Sequence, residues 1–179
     1  MKKVYVSWHD VQRQVQELVR QMWLDKWTPD YVVGITRGGL TPANLISQYL
    51  DCPMETLTVR LRDGVAEDCE SNLWMAEDAF HGKNILIVDD INDSGATLNW
   101  IKQDWPAGCS PSSENWRLIW GKPGNVRVAV LYDNQASQSK LIPSYAAETI
   151  NKLDDPQWIV FPWEEWWRRW NPNESHLSG

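Results

Sequence analysis

The sequence predicts an α/β fold, a largely parallel central sheet flanked by helices. Two observations lead there. Short apolar runs rich in β-branched residues, Tyr31-Val32-Val33-Gly34-Ile35 and Asn84-Ile85-Leu86-Ile87-Val88, are free of charge, and helical periodicity appears between and around them. Such runs suit strands buried on both faces, the condition of strands in a parallel sheet covered by helices.

In chain order, Ser7 and Asp10 form a capping-box pattern, and Val11, Val15, Leu18, Val19 and Met22 follow at helical spacing. They place the first helix from about Trp8 to Asp25. After Pro29 comes the first buried strand, Tyr31 to Ile35, and then a tight loop, Thr36-Arg37-Gly38-Gly39. Leu40 to Leu50 resumes helical spacing through Leu45, Ile46, Tyr49 and Leu50, and Met54 to Arg60 alternates as a second strand. Leu61 to Gly82 is acidic and weakly periodic, with Trp74 and Phe80 its large anchors, and reads as a mobile loop. The strand Asn84 to Val88 runs into Asp89-Asp90, and the next helix begins near Ala96 with Leu98, Trp100 and Ile101. Asp104 to Asn125 is rich in Pro, Gly and Ser and reads as an excursion. Val126 to Tyr132 is a further strand. Trp163, Trp166, Trp167 and Trp170 fall at i, i+3, i+4 and i+7, while Glu164–Arg168 and Glu165–Arg169 pair on the opposite face. That pattern predicts an amphipathic helix between Pro162 and Asn171-Pro172, docked on its own domain.

At 179 residues with 42% hydrophobic content, the chain suits one domain spanning residues 1–179. No stretch approaches the roughly 18 consecutive apolar residues of a membrane span, and the opening run is too short for a secretory signal, so a cytoplasmic protein without a membrane partner is expected. Seventeen Lys and Arg against 24 Asp and Glu give a net charge of −7, which leaves no broad basic face for a nucleic-acid partner. Cys52, Cys69 and Cys109 fit neither a disulfide framework nor a CxxC metal site and read as reduced packing thiols. His9, His81 and His176 share no metal-ligand spacing. The compositional oddity is 13 Trp.

In open α/β sheets, ligands sit beyond the carboxyl ends of the strands. Two strands here end in unusual loops, Thr36 to Gly39 and Asp89 to Thr97, and both face one expected cleft. Asp93-Ser94-Gly95-Ala96-Thr97 combines small residues, two hydroxyls and a helix start, which together offer a phosphate backbone N–H groups, O–H donors and a positive helix end. Adjacent carboxylates at a buried strand end are costly unless they meet a cation or hydroxyl donors, so Asp89-Asp90 points to sugar hydroxyls and Mg²⁺.

The run Ile85-Leu86-Ile87-Val88-Asp89-Asp90-Ile91-Asn92-Asp93-Ser94-Gly95-Ala96-Thr97-Leu98 resembles the phosphoribosyl-diphosphate signature of type I phosphoribosyltransferases. Gly34-Ile35-Thr36-Arg37-Gly38-Gly39-Leu40-Thr41-Pro42-Ala43 is similar to the pyrophosphate loop of the same family, most of all to that of bacterial xanthine-guanine and hypoxanthine enzymes. The likeness extends from Val6-Ser7-Trp8 to Trp158-Ile159-Val160-Phe161-Pro162-Trp163, leaving out 61–82 and 104–125.

This resemblance implies the type I phosphoribosyltransferase fold with a small C-terminal hood over roughly 133–170. It also implies transfer of ribose 5-phosphate from phosphoribosyl diphosphate to a purine base (hypoxanthine, guanine or xanthine), with Mg²⁺ as cofactor and pyrophosphate released. Carried over residue by residue, Asp89 and Asp90 hold the ribose hydroxyls and Mg²⁺. Asp93, Ser94, Gly95, Ala96 and Thr97 hold the 5′-phosphate. Thr36, Arg37, Gly38 and Gly39 hold the pyrophosphate, with a cis peptide expected at Thr36-Arg37. Asp93 and Arg37 are the catalytic candidates, Asp93 beside the base as its proton acceptor or hydrogen-bond partner and Arg37 on the departing pyrophosphate. Trp158 and Ile159 match the segment that stacks on the purine and reads its edge with main-chain groups. Family members acting on 6-oxopurines place a Lys after the strand equivalent to Val126–Tyr132. This sequence has Asp133-Asn134 there, an acceptor with a possible donor beside it, so both are base-binding candidates whose edge recognition is altered. A homodimer or homotetramer is implied. The alternatives are the same fold acting on another nucleobase, or a non-catalytic regulatory protein that binds phosphoribosyl diphosphate or a nucleotide.

Overall fold

A computed structural model describes residues 1–63 and 65–170. Its elements in order are β1 (Lys2–Tyr5), α1 (Trp8–Leu24), β2 (Tyr31–Thr36), α2 (Leu40–Leu50), β3 (Met54–Arg62), β4 (Val65–Cys69), α3 (Leu73–Phe80), β5 (Ile85–Asn92), α4 (Ala96–Gly108), α5 (Asn115–Ile119), β6 (Val126–Asn134), β7 (Tyr145–Ile150), β8 (Gln157–Val160) and α6 (Trp166–Trp170). Six strands form one sheet in the order β4-β3-β2-β5-β6-β7, parallel throughout except for the edge strand β4. The expected α/β class is what the chain adopts. No helix among the described residues is long and apolar enough to cross a membrane.

The uncharged strand runs have a direct cause, since both faces of the sheet are covered. Along β5, Ile85 and Ile87 pack on one side with Leu98, Ile101 and Trp105, while Leu86 and Val88 pack on the other with Val11, Leu18 and Ile46. α1 starts where the capping box puts it: Ser7 Oγ accepts from Asp10 N at 3.0 Å and Asp10 Oδ2 accepts from Ser7 N at 2.9 Å.

Three sequence expectations are corrected. Residues 61–82 are not a loop: β3 continues to Arg62, β4 folds back on it antiparallel, and α3 buries Met75, Ala76 and Ala79. β4 is an exposed edge strand with almost no buried position, and the buried face of α3 is mostly Ala, so neither carries a strong hydrophobic period. Residues 104–125 are not an excursion, because α4 runs on to Gly108 and α5 follows, with Trp105, Trp116 and Ile119 in the core. Trp105 and Trp120 lie 5.5 Å apart, Trp116 stacks on Trp120 at 5.9 Å, and Phe80 meets Trp116 at 5.8 Å. Much of the Trp excess is therefore structural: these indoles fill the face of the sheet that α3, α4 and α5 cover.

The third correction concerns the C-terminal helix. Glu165 has φ 48°, a left-handed turn, and α6 begins only at Trp166. Trp163 lies outside it, stacked on Phe161 at 5.0 Å and 6.0 Å from Trp8. The Glu164 carboxylate accepts from Phe161 N at 2.9 Å and stabilises the turn that displaces the helix start. Glu165 pairs with Lys3 at 3.3 Å and with Arg168 at 3.5 Å, so the expected pairing of Glu164 with Arg168 gives way to Glu165. The side chains of Arg169 and Trp170, and residues 171–179 with Asn171-Pro172 and His176, lie outside the described residues. Three strands, β1, β7 and β8, have no counterpart in the sequence expectations, and β1 pairs in parallel with β8, bringing Lys3 opposite Trp158 and Val4 opposite Ile159. The pair holds the C-terminal segment beside the carboxyl end of the main sheet.

Candidate active site

β2 and β5 are neighbours in the sheet, so their carboxyl-terminal loops must meet. The contact is close: a side chain on Gly38 would drive into the Asp90 carboxylate and force it to shift. The Thr36-Arg37 peptide is cis, as expected, and Thr36 Oγ1 hydrogen-bonds Thr58 Oγ1 at 3.2 Å. Gly39 N donates to Ile35 O at 2.8 Å, and Leu40 N to Arg37 O at 3.2 Å, closing the turn into α2.

β5 extends past Val88 to Asn92, so Asp89 and Asp90 lie within the strand rather than after it. Asp90 N donates to Asp89 Oδ1 at 2.9 Å. Burial and then the Asp90 charge push the Asp89 carboxyl well above its ordinary value, and burial and then the Glu164 charge push Asp90 up to about 6. Among the described residues neither carboxylate has an ion-pair partner. The pair is a hard-oxygen donor set lacking a counter-charge, which fits a magnesium ion shared with substrate oxygens.

The chain then curls into a small cavity of about 80 Å³ lined by Asp89 and Ile91–Leu98 with Val130. With its hydroxyls and the start of α4, that lining suits a phosphate. Gly95, at φ 86°, lies against Ser139, where a side chain would strike backbone, and Ser94 Oγ accepts from Ala96 N at 3.3 Å. Gln138 N donates to Ser94 O at 3.0 Å, so the segment after β6 braces the cradle from outside.

Asp93 follows as the chain leaves β5, with its side chain 46% exposed. Trp158 is 53% exposed and its ring is open to a ligand, whereas Ile159 is buried in the core, so only its main chain is available to a base. Asp133 and Asn134, the base-binding candidates after β6, are both hydrogen-bonded within the protein. Asp133 Oδ1 accepts from Asn92 Nδ2 at 2.8 Å. Asn134 is buried, donates from Nδ2 to Asp93 O at 3.1 Å and Oδ1 at 3.3 Å, and accepts at Oδ1 from Ala136 N and Lys152 N. Its amide nitrogen is bonded to Asp93, so in this structure Asn134 positions that acid. Arg62, exposed, reaches Glu67 at 3.8 Å on the β3–β4 hairpin.

Sequence reasoning missed two groups. Glu164 reads in the sequence as a helix-surface charge, yet its charge acts on Asp90. The other is Lys152, whose ammonium donates to Asp93 Oδ2 at 2.8 Å and lies 5.9 Å from the Trp158 ring. Asn151-Lys152-Leu153-Asp154 reads locally as an ordinary turn, so no sequence signal was there to find it.

The family model described as the phosphoribosyl transferase domain matches residues 3–168. The chain belongs to the phosphoribosyltransferase family. It is 30% identical over 171 residues to the xanthine-guanine phosphoribosyltransferase of Cereibacter sphaeroides, covering 91% of this chain and 87% of that one. Among solved structures, the purine phosphoribosyltransferase from Pyrococcus horikoshii superposes with a TM-score of 0.65 at 28% identity, over 92% of this chain and 96% of that one. The Helicobacter pylori xanthine-guanine-hypoxanthine phosphoribosyltransferase shares the fold with a TM-score of 0.61 at 18% identity, over 93% and 95%. This phosphoribosyltransferase thus places the cis peptide loop, the paired carboxylates and the Asp93–Thr97 turn at adjoining strand ends.

Proposed function

We propose that this phosphoribosyltransferase transfers ribose 5-phosphate from phosphoribosyl diphosphate to hypoxanthine, guanine or xanthine and releases pyrophosphate. The observation that carries the reading is the contact between Gly38 and the Asp90 carboxylate, which joins the two motif loops into one cleft. In that cleft Ser94, Gly95, Ala96 and Thr97 take the 5′-phosphate, Asp89 and Asp90 the ribose hydroxyls, and Thr36, Arg37, Gly38 and Gly39 the pyrophosphate. The transition state resembles an oxocarbenium ion, with negative charge growing on the departing pyrophosphate. Arg37 and the loop amides stabilise that charge as it develops. Asp93 accepts the proton or hydrogen bond of the attacking base, held in place by Asn134. Trp158 supplies a flat face for the purine. Asp89 and Asp90 would hold Mg²⁺, whose charge neutralises the diphosphate when bound.

The test is pyrophosphate release from phosphoribosyl diphosphate with Mg²⁺, scanned over hypoxanthine, guanine, xanthine, adenine, uracil and orotate. Release dependent on a 6-oxopurine is expected. Release with another base alone would move the enzyme to that base, and silence with every base while phosphoribosyl diphosphate binds would make the protein a regulator.

Two further results are expected. Trp158→Ala should weaken base binding by about 1–3 kcal/mol and leave phosphoribosyl diphosphate binding nearly unchanged, measured by titration calorimetry. Equal losses for both ligands would assign Trp158 a structural role instead. The second concerns the acids. Because the Asp90 carboxyl sits near 6 in the folded protein against 3.8 ordinarily, folding favours its protonated form, and the stability this contributes is present below about pH 4 and lost as pH rises through about 6. Mg²⁺ binds the ionised pair, so it should raise the melting temperature distinctly at pH 7.5 and little at pH 5. An equal rise at both values would remove Asp89 and Asp90 from metal binding.

A further inference from the structure

We propose that Lys152 is the group that reads the 6-oxo position of the purine; the inference rests on the purine-transfer reading above. Three contacts fix its place. The ammonium donates to Asp93 Oδ2 at 2.8 Å, and it lies 5.9 Å from the centre of the Trp158 ring. The backbone N–H of the same residue donates to Asn134 Oδ1 at 3.1 Å, and Asn134 in turn donates to Asp93. Lys152 is thus anchored through Asn134 to the end of β6 and to the loop after β5. Its side chain is only 18% exposed. The ammonium stands between the stacking face and the acid that bracket the base.

The chemistry follows from donor count. An ammonium has three N–H donors and accepts nothing. One donor meets Asp93, which leaves others for a carbonyl in the plane of a base lying on Trp158. A 6-oxo oxygen accepts such a bond, whereas a 6-amino group opposes it donor to donor and leaves a charged donor unsatisfied. The position after β6 cannot do this work: Asp133 is an acceptor already engaged by Asn92, and Asn134 is committed to Asp93. The cation comes instead from the turn between β7 and β8, which the Lys152 N–H ties to Asn134 at the end of β6. Lys152 is accordingly a specificity-determining residue, discriminating 6-oxopurines from 6-aminopurines.

The experiment measures equilibrium binding of inosine monophosphate, adenosine monophosphate and phosphoribosyl diphosphate to the wild type, Lys152→Met and Lys152→Arg. The expected result is a loss of about 10- to 100-fold for inosine monophosphate in Lys152→Met, little change for the other two ligands, and partial recovery in Lys152→Arg. In the unmutated protein, purine riboside monophosphate, which lacks the 6-oxo group, should bind more weakly than inosine monophosphate by a similar factor, so a Met variant that folds poorly leaves the question decidable. Equal losses for inosine and adenosine monophosphates, or no loss, would overturn the role of Lys152 alone. A wild type that binds neither phosphoribosyl diphosphate nor any purine nucleotide would overturn the purine-transfer reading itself.

Discussion

Replacing Asp93 by Asn is expected to lower turnover by about 10²- to 10⁴-fold, the range a positioned general acid or base supplies, with phosphoribosyl diphosphate binding changed only slightly. The substitution keeps the shape of the side chain and leaves an oxygen for Asn134 Nδ2, now 3.3 Å from Asp93 Oδ1. What it removes is the negative charge proposed to face the base, together with the ion pair with Lys152. That pair is half exposed on the Asp93 side, so its loss should cost the fold under about 1 kcal/mol. A fall in turnover with an unchanged melting temperature therefore isolates chemistry from stability. Steady-state rates beside a binding isotherm for phosphoribosyl diphosphate decide the matter, and an unchanged turnover takes Asp93 out of the mechanism.

Trp105→Ala is expected to destabilise the protein by about 3–5 kcal/mol, the cost of removing a large buried aromatic and leaving a cavity. Trp105 is 1% exposed, packs within the cluster formed by Ile87, Leu98, Ile101 and Trp116, and faces the Trp120 ring. Against a total stability of about 5–15 kcal/mol, such a loss leaves little margin. Urea unfolding with an unchanged slope reports it directly. Trp105→Phe should cost less than half as much, because the indole N–H has no hydrogen-bond partner among the described residues and only ring area is lost. A loss below about 1 kcal/mol for the alanine variant would mean that 104–125 is the solvent-facing excursion its composition suggests.

The two outcomes probe opposite kinds of legibility. Asp93 belongs to a run whose meaning is local: an apolar strand, two acids, a turn of small hydroxyl residues and a helix start, all within Ile85–Leu98. Trp105 sits among Pro, Gly and Ser residues that read as loop, and its burial depends on α3 and α5 arriving from either side. Three short helices covering one sheet face divide the apolar positions too finely for any window to show a period.

The same contrast between local and long-range contacts runs through the rest of the molecule. The doubly covered strands, the capped first helix, the glycine loop and the paired carboxylates are properties of neighbouring residues, because burial on both faces, capping and turn geometry act over a few positions. The β1–β8 pairing, the commitment of Asn134 to Asp93, the Glu164 charge near Asp90 and the ammonium of Lys152 beside Trp158 join residues far apart in the chain. Lys152 and Asp93 are 59 positions apart and 2.8 Å distant. Their proximity follows from strand order and from the path of the β7–β8 turn, and a packing arrangement of that kind leaves no periodicity or motif in the chain that folds into it.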